Sequence, residues 1–179
     1  METMKIVTAP DPLLRQISEP CEVGDANLAP LAMRMANTMY ATDGVGIAAP
    51  QVGILKRLIV VDCDLEAKKP KPIVLVNPVI EETWGDPETA EEGCLSCPGI
   101  QVPITRPPWA RVRYFDLNGE EHIIESDGLL GRCLQHEVDH LDGKTLFESA
   151  APVDRMRALT DYQKAQEAGA RPGQVSVSK

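Results

Sequence analysis

Gln135-His136-Glu137-Val138-Asp139-His140 is the stretch around which the rest of the chain is organised. On a helix of about 3.6 residues per turn, positions 136 and 140 stand only about 40° apart around the axis, so both imidazoles can reach one ion. Glu137 flanks that ion without binding it. Two histidines that hold a metal and a glutamate that handles the proton of an attacking water make up the H-E-x-x-H logic. The plain alternative is a chance pairing on a solvated helix face. Against it, the preceding Gly128-Leu129-Leu130-Gly131-Arg132-Cys133-Leu134 is largely apolar, so the turn continues a buried central helix. Ser126 or Asp127 is the expected cap of that helix, and Gly143 its end.

Outward from this helix the pattern changes to strands. Arg111 to Asp116 and Glu120 to Glu125 flank Leu117-Asn118-Gly119, and Asn-Gly is the pair a two-residue type I′ hairpin requires. His122 in that hairpin reads as a surface strand residue. Lys56 to Cys63, Ile73 to Val76 and Val79 to Thr83 are short β-branched runs, with the solvated turn Lys68-Lys69-Pro70-Lys71-Pro72 between the first two. Further upstream, Asp25 or Asn27 caps a helix reaching Tyr40, with Leu28, Leu31, Met35 and Met39 at helical spacing. Pro10 and Pro12 hold the opening arm extended before a short turn around Leu13 to Ile17. Between helix and strand lies Thr42-Asp43-Gly44-Val45-Gly46-Ile47-Ala48-Ala49-Pro50-Gln51, whose glycines permit positive φ or close approach. It is either a tight turn or a substrate-binding edge carrying Gln51; the Lys-Ser/Thr ending of a phosphate loop is missing.

At the other end, a helix is expected from about Pro152 to Ala168, with Val153, Met156, Leu159 and Tyr162 as a weak apolar face. Residues 169–179 are expected to be a disordered tail. The fold class that follows is α+β: antiparallel or mixed β-sheets around a central helix carrying the H-E-x-x-H motif, with N-terminal and C-terminal helices. The whole of 1–179 suits a single domain.

Composition limits the partners. Hydrophobic residues make up 43% and charged ones 25%, ordinary globular usage. A net charge of -9 repels polyphosphates and argues against general nucleic-acid binding. From Pro152 onward, five basic residues face three acidic ones, leaving +2 there and -11 in the remainder. Five cysteines at irregular spacing do not suggest a disulfide framework, and a reducing compartment is expected. No apolar run approaches signal-peptide or membrane-spanning length, so the cytoplasm is the expected location, with no membrane contact.

A catalytic metal needs a third protein ligand and one open position. Glu91-Glu92-Gly93-Cys94-Leu95-Ser96-Cys97 puts Cys94 beside a glycine, where a thiolate can approach an ion. A small buried residue, or half of a C-x-x-C unit with Cys97, remains the alternative.

Three stretches, Gly44 to Gln51, Glu92 to Ser96 and Gln135 to His140, together resemble the peptide deformylase family in order and spacing. The Pro-Asp-Pro-Leu-Leu-Arg opening and the Leu141-Asp142-Gly143 that follows the histidines extend the likeness over most of the chain. The resemblance implies a metal-dependent hydrolase that removes the N-formyl group from formylmethionyl nascent chains and releases formate. It implies Cys94, His136 and His140 as ligands of one divalent ion, Fe²⁺ foremost, with Zn²⁺, Ni²⁺ and Co²⁺ as alternatives. Glu137 is the implied acid-base group, Gln51 and the backbone N–H of Leu95 the oxyanion donors, and Gly46 the aligner of the substrate backbone. Val45, Leu129 and Cys133, apolar and close to the motifs, are the expected methionine pocket. Asp139 and Glu92 are candidate partners that orient the ligands. Cys97 and Cys133 are expected to be buried and outside the mechanism. Family analogy also suggests a ribosome contact through the basic C-terminal helix. The competing readings are an H-E-x-x-H zinc protease, which wants a further ligand downstream of His140, and a binding module that a metal merely stabilises.

Overall fold

The structure, a computed structural model, describes residues 1–175. The strand signals condense into a five-stranded antiparallel sheet of order β1-β2-β3-β6-β7, built from β1 (Gly46–Ala48), β2 (Leu58–Val61), β3 (Ile73–Trp84), β6 (Trp109–Phe115) and β7 (Glu121–Ser126). A separate antiparallel pair, β4 (Glu88–Glu92) and β5 (Val102–Arg106), stands beside it. The helices are α1 (Leu28–Tyr40), α2 (Gly128–Leu141), α3 (Leu146–Ser149) and α4 (Pro152–Glu167).

The uninterrupted run Leu58-Ile59-Val60-Val61 is explained by its neighbours. Leu58 and Val60 join the cluster under α1, with Met35 and Met39, whereas Ile59 and Val61 join the cluster under α2, with Leu134 and Leu141. A strand covered by a helix on each face has no polar side, so alternation disappears. Towards β7 the cover is lost, and Ile123 is exposed. The helix of the motif therefore packs where the sheet is fully apolar. Side chains such as Leu134 and Leu141, fully buried there, each contribute roughly 1.5–3 kcal/mol of transfer free energy.

Several local expectations are corrected. Pro78 does not split two strands: β3 runs from Ile73 to Trp84, with the register shifting between Val76 and Val79 and Asn77 at φ 50°. A bulge takes up the proline that a regular ladder could not. The Asn118-Gly119 hairpin forms, but its loop spans 116–120 and only Gly119 has positive φ, so the turn is not type I′. Asp116 closes it instead, accepting from the N–H groups of Asn118 and Glu120. Of the apolar face assigned to α4, only Tyr162 is buried. Val153, Met156 and Leu159 are exposed, while Ala158 and Tyr162 are buried, the Tyr162 hydroxyl donating to the Ala9 carbonyl at 2.6 Å.

The expected disorder of the tail does not extend to its described part. Gly173 N–H donates to Leu95 O at 3.0 Å and Gly99 N–H to Gln174 O at 2.9 Å, so residues 169–175 fold back over the Cys94 segment. The remaining positions of that expectation, 176–179, lie outside the described residues. Among the described residues no helix is long and apolar enough to cross a membrane.

Candidate active site

α2 presents His136, Glu137 and His140 towards the loop that joins β4 to β5, and that loop brings Cys94. The Cys94 Sγ lies 3.3 Å from His140 Nε2, which lies 3.3 Å from His136 Nε2. All three are donor atoms and all lie within 4.8 Å of one another. Ligands about 2.0–2.1 Å (nitrogen) and 2.3 Å (sulfur) from a tetrahedral centre stand roughly 3.3–3.6 Å apart, which is the spacing found. The tautomer fits as well. His136 Nδ1 is 2.9 Å from Glu92 Oε1, and a proton held there leaves the Nε2 lone pair free to bind an ion. Two imidazole lone pairs and a sulfur turned on one point repel unless a cation separates them, so the donor set suits a divalent metal. Cys94, His136 and His140 form a Cys-His-His metal site.

Around this site the sequence-selected residues gather in one cavity of about 200 Å³. Val45, Gly46, Gln51, Leu95, Leu129, Cys133 and Glu137 line it together with Cys94 and His136; His140 stands behind. Leu129, partly exposed, is at the mouth. Gly46 is required by space rather than by its dihedral angles: a Cβ there would lie 2.7 Å from Cys133 Sγ and 2.8 Å from Glu137 Oε1. Gly44 plays the same part for Leu95, whose side chain would lie 2.8 Å from an added Cβ.

Glu137 is buried, and its Oε2 has no hydrogen-bond partner. Burial pushes its carboxyl up to about 7, an effect that the adjacent His136 moderates. Gln51, also buried, uses Oε1 to accept from Ala48 N–H at 2.9 Å, which turns its NH₂ group towards Cys94 Sγ at 3.5 Å and Ser96 Oγ at 3.3 Å. The Cys94 thiol is pushed up to about 11 by its hydrogen bond to Cys97 and by burial, so cation binding at this sulfur displaces a proton.

Sequence reasoning named Glu92 and Asp139 as partners that orient the ligands but missed the arginines that hold them. Arg106, from β5, donates Nε to Glu92 Oε2 at 2.7 Å and one terminal nitrogen to Glu92 Oε1 at 2.9 Å; its other terminal nitrogen reaches Asp139 Oδ2 at 2.8 Å. Arg132 adds a bond to Glu92 Oε2 at 2.7 Å. Burial would raise the Glu92 carboxyl, but hydrogen bonds from His136 and Arg106 outweigh it and hold the group well below the usual carboxylate range. Glu92 is thus a fixed anion that orients His136, and Arg106 ties it to α2. Asp139 has its place on the far side of the same clamp, where Ser149 Oγ also donates to it. No spacing rule points to Arg106. Val175, from the folded-back tail, also lines the cavity.

Known proteins share this arrangement of chain. The profile of the polypeptide deformylase family matches residues 3–156. A peptide deformylase of Hahella chejuensis is 43% identical over 164 residues, covering 92% of this chain and 96% of that protein. The crystal structure of a peptide deformylase from Synechococcus elongatus in complex with actinonin superposes with a TM-score of 0.84 at 39% identity, covering 97% of this chain and 92% of that one. One from Legionella pneumophila gives 0.85 at 40% identity, covering 94% and 98%. Identity of about two-fifths extends over nearly the full length of the chain, and the backbone follows the same path, so this chain belongs to the polypeptide deformylase family.

Proposed function

We propose that this chain is a metal-dependent hydrolase that removes the N-formyl group from formylmethionyl ends of newly made polypeptides, releasing formate. The observation that carries the reading is the unpartnered, buried carboxylate oxygen of Glu137 in the cavity that also receives Cys94 and His136. A formamide is stabilised by resonance, and a divalent ion at the Cys-His-His site supplies Lewis acidity that makes its carbon and a nearby water more reactive. Glu137 accepts the proton of the attacking water at Oε2 and delivers it to the departing amine nitrogen. The Gln51 NH₂ group and the Leu95 N–H donate to the oxygen on which negative charge develops. Gly46, at the edge of the sheet in β1, lines up the substrate backbone. Val45, Leu129 and Cys133 take the methionine side chain.

Iron(II) is the ion we assign. A thiolate among the ligands adds negative charge and favours a labile, milder Lewis acid, but donor type alone does not separate Fe²⁺ from Zn²⁺, Ni²⁺ or Co²⁺. Five free cysteines support a reducing, cytoplasmic setting. A ribosome contact at the C-terminal end draws its support from Arg171 and Lys179, which supply the basic excess after Pro152, since α4 itself carries three basic and three acidic residues. A zinc protease is disfavoured because no histidine lies beyond His140. Glu148, the near acidic candidate, is spent on Thr145, accepting from its N–H at 2.9 Å.

Anaerobically purified protein given formyl-Met-Ala should release formate at a rate that saturates with peptide. Protein carrying one equivalent of metal and releasing none would overturn the reading.

A further inference from the structure

Cys63 and Cys133 approach one point from opposite sides. Asp62 N–H donates to the Val45 carbonyl at 2.8 Å, and the Cys133 thiol lies 3.9 Å from the same oxygen, so the segment just past β2 and the second turn of α2 converge on one peptide. Cys63 is half-buried against the cluster that contains Cys133, close enough for its thiol to perturb that of Cys133. Cys133 has a second face: it is part of the cavity wall and fills the space where a Gly46 side chain would stand. One sulfur of the contact is therefore reachable from outside, and the other borders the substrate.

We propose that Cys63 and Cys133 are a modification site, a thiol pair that a hydroperoxide converts into a reversible disulfide and that thereby alters the substrate cavity. Cys63 sulfur attacks one oxygen of hydrogen peroxide; an S–O bond forms, the O–O bond breaks, and the released hydroxide leaves as water with the thiol proton. Cys133 sulfur then attacks Cys63 sulfur; the S–S bond forms, the S–O bond breaks, and hydroxide departs with the Cys133 proton as a second water. Two thiols lose two electrons and two protons, and one peroxide becomes two waters. The division of roles follows the surroundings. The nearby Cys63 thiol and burial push the Cys133 thiol up and keep it protonated, which suits the resolving partner rather than the first attacker.

Closure has a consequence for binding. An S–S bond of about 2.05 Å is shorter than any contact between two thiols, so closure draws the Cys133 sulfur towards Cys63 and shifts it from its place in the cavity wall. Cys94, His136 and His140 take no part, so the metal donors stay in place while the cavity wall moves.

The test uses full-length, zinc-loaded protein, because zinc does not itself react with peroxide. After treatment with hydrogen peroxide and alkylation of remaining thiols, mass spectrometry should find one linked peptide joining Cys63 to Cys133, about 2 Da lighter than its two reduced halves together and undone by dithiothreitol. Bound zinc should be unchanged, and KM for formyl-Met-Ala should shift by about threefold or more. Cys63→Ser should leave untreated turnover as it was, form no link, and keep KM insensitive to peroxide. Both cysteines recovered alkylated, or either linked to a different cysteine, would overturn the pair; a complete link with unchanged KM would overturn its effect on the cavity. The KM arm rests on the deformylase reading, whereas the linked peptide and zinc content do not, so the two can fail separately.

Discussion

Glu137 and Cys94 make separable contributions, and single substitutions divide them. Glu137→Gln keeps the size and most of the packing but removes the proton acceptor; since positioned acid-base groups contribute roughly 10²–10⁴-fold, kcat/KM should fall by about that factor with metal content intact. Cys94→Ala removes one of three donors, so metal should be lost on dialysis, measured by atomic absorption. Full metal and activity in Cys94→Ala would refute its place in the site. These two side chains were legible in the sequence for different reasons. His136, Glu137 and His140 lie within one helical turn, where spacing alone fixes relative direction. Cys94 lies far from them in sequence, and only its agreement with two other stretches singled it out. Gln51 was legible as a polar residue in a run of small ones. Its hydrogen bond to Ala48 N–H, which decides where its NH₂ group points, was not.

Among the elements, β4 and β5 matter most to the site and were the hardest to read. Glu88-Thr89-Ala90-Glu91-Glu92 has no apolar alternation, because all but Glu92 are exposed, and Val102-Pro103-Ile104-Thr105-Arg106 is interrupted by proline. The pair nevertheless aims Cys94 at α2, because Arg106 on β5 joins Glu92 on β4 to Asp139 on α2. The Arg106 side chain is only 8% exposed, and that of Glu92 only 6%. Arg106→Met should therefore cost about 3–5 kcal/mol, as breaking a buried pair leaves the opposite charges uncompensated. It should also weaken metal affinity by roughly 10–100-fold, because Glu92 would no longer be held against His136. Thermal unfolding and competition with a metal-binding dye measure the two effects. A loss of stability without a loss of affinity would mean that Glu92 is positioned by Arg132 alone. α4 shows the converse error. Its sequence offers Val153, Met156, Leu159 and Tyr162 at helical spacing, but the helix touches the body along a narrow seam of Tyr162 and Ala158, and a single alanine leaves little hydropathic trace.

At the scale of the whole molecule, the chain closes on itself: its last described residues cover the loop that supplies a metal ligand. Gly93, beside Cys94, has room only for hydrogen, since a Cβ would meet Val175 O at 2.8 Å. Gly173 and Gln174 are hydrogen-bonded to Leu95 and Gly99, both within the ligand loop just after Cys94. Sequence reading expected disorder here because terminal residues are poorly ordered unless tied down, and nothing local records that a loop some eighty residues away offers backbone partners. The energetics are nearly balanced. Two such bonds contribute about 0.5–1.5 kcal/mol each and partial burial of Val175 somewhat more, while ordering each residue costs about 1–2 kcal/mol. A chain ending at Ala168 should consequently lose only about 1 kcal/mol, a drop in Tm of roughly 2–4 °C. The larger effect should be local. With Val175 gone from the cavity wall and the Leu95 and Gly99 bonds unmade, amide exchange should accelerate in residues 93–99 far more than in α1 or β2, and KM for formyl-Met-Ala should rise while kcat changes little. If exchange in 93–99 matched that of the full chain, the tail would be a passive cover, and the Cys94 loop would be held by β4, β5 and the Arg106 clamp without it.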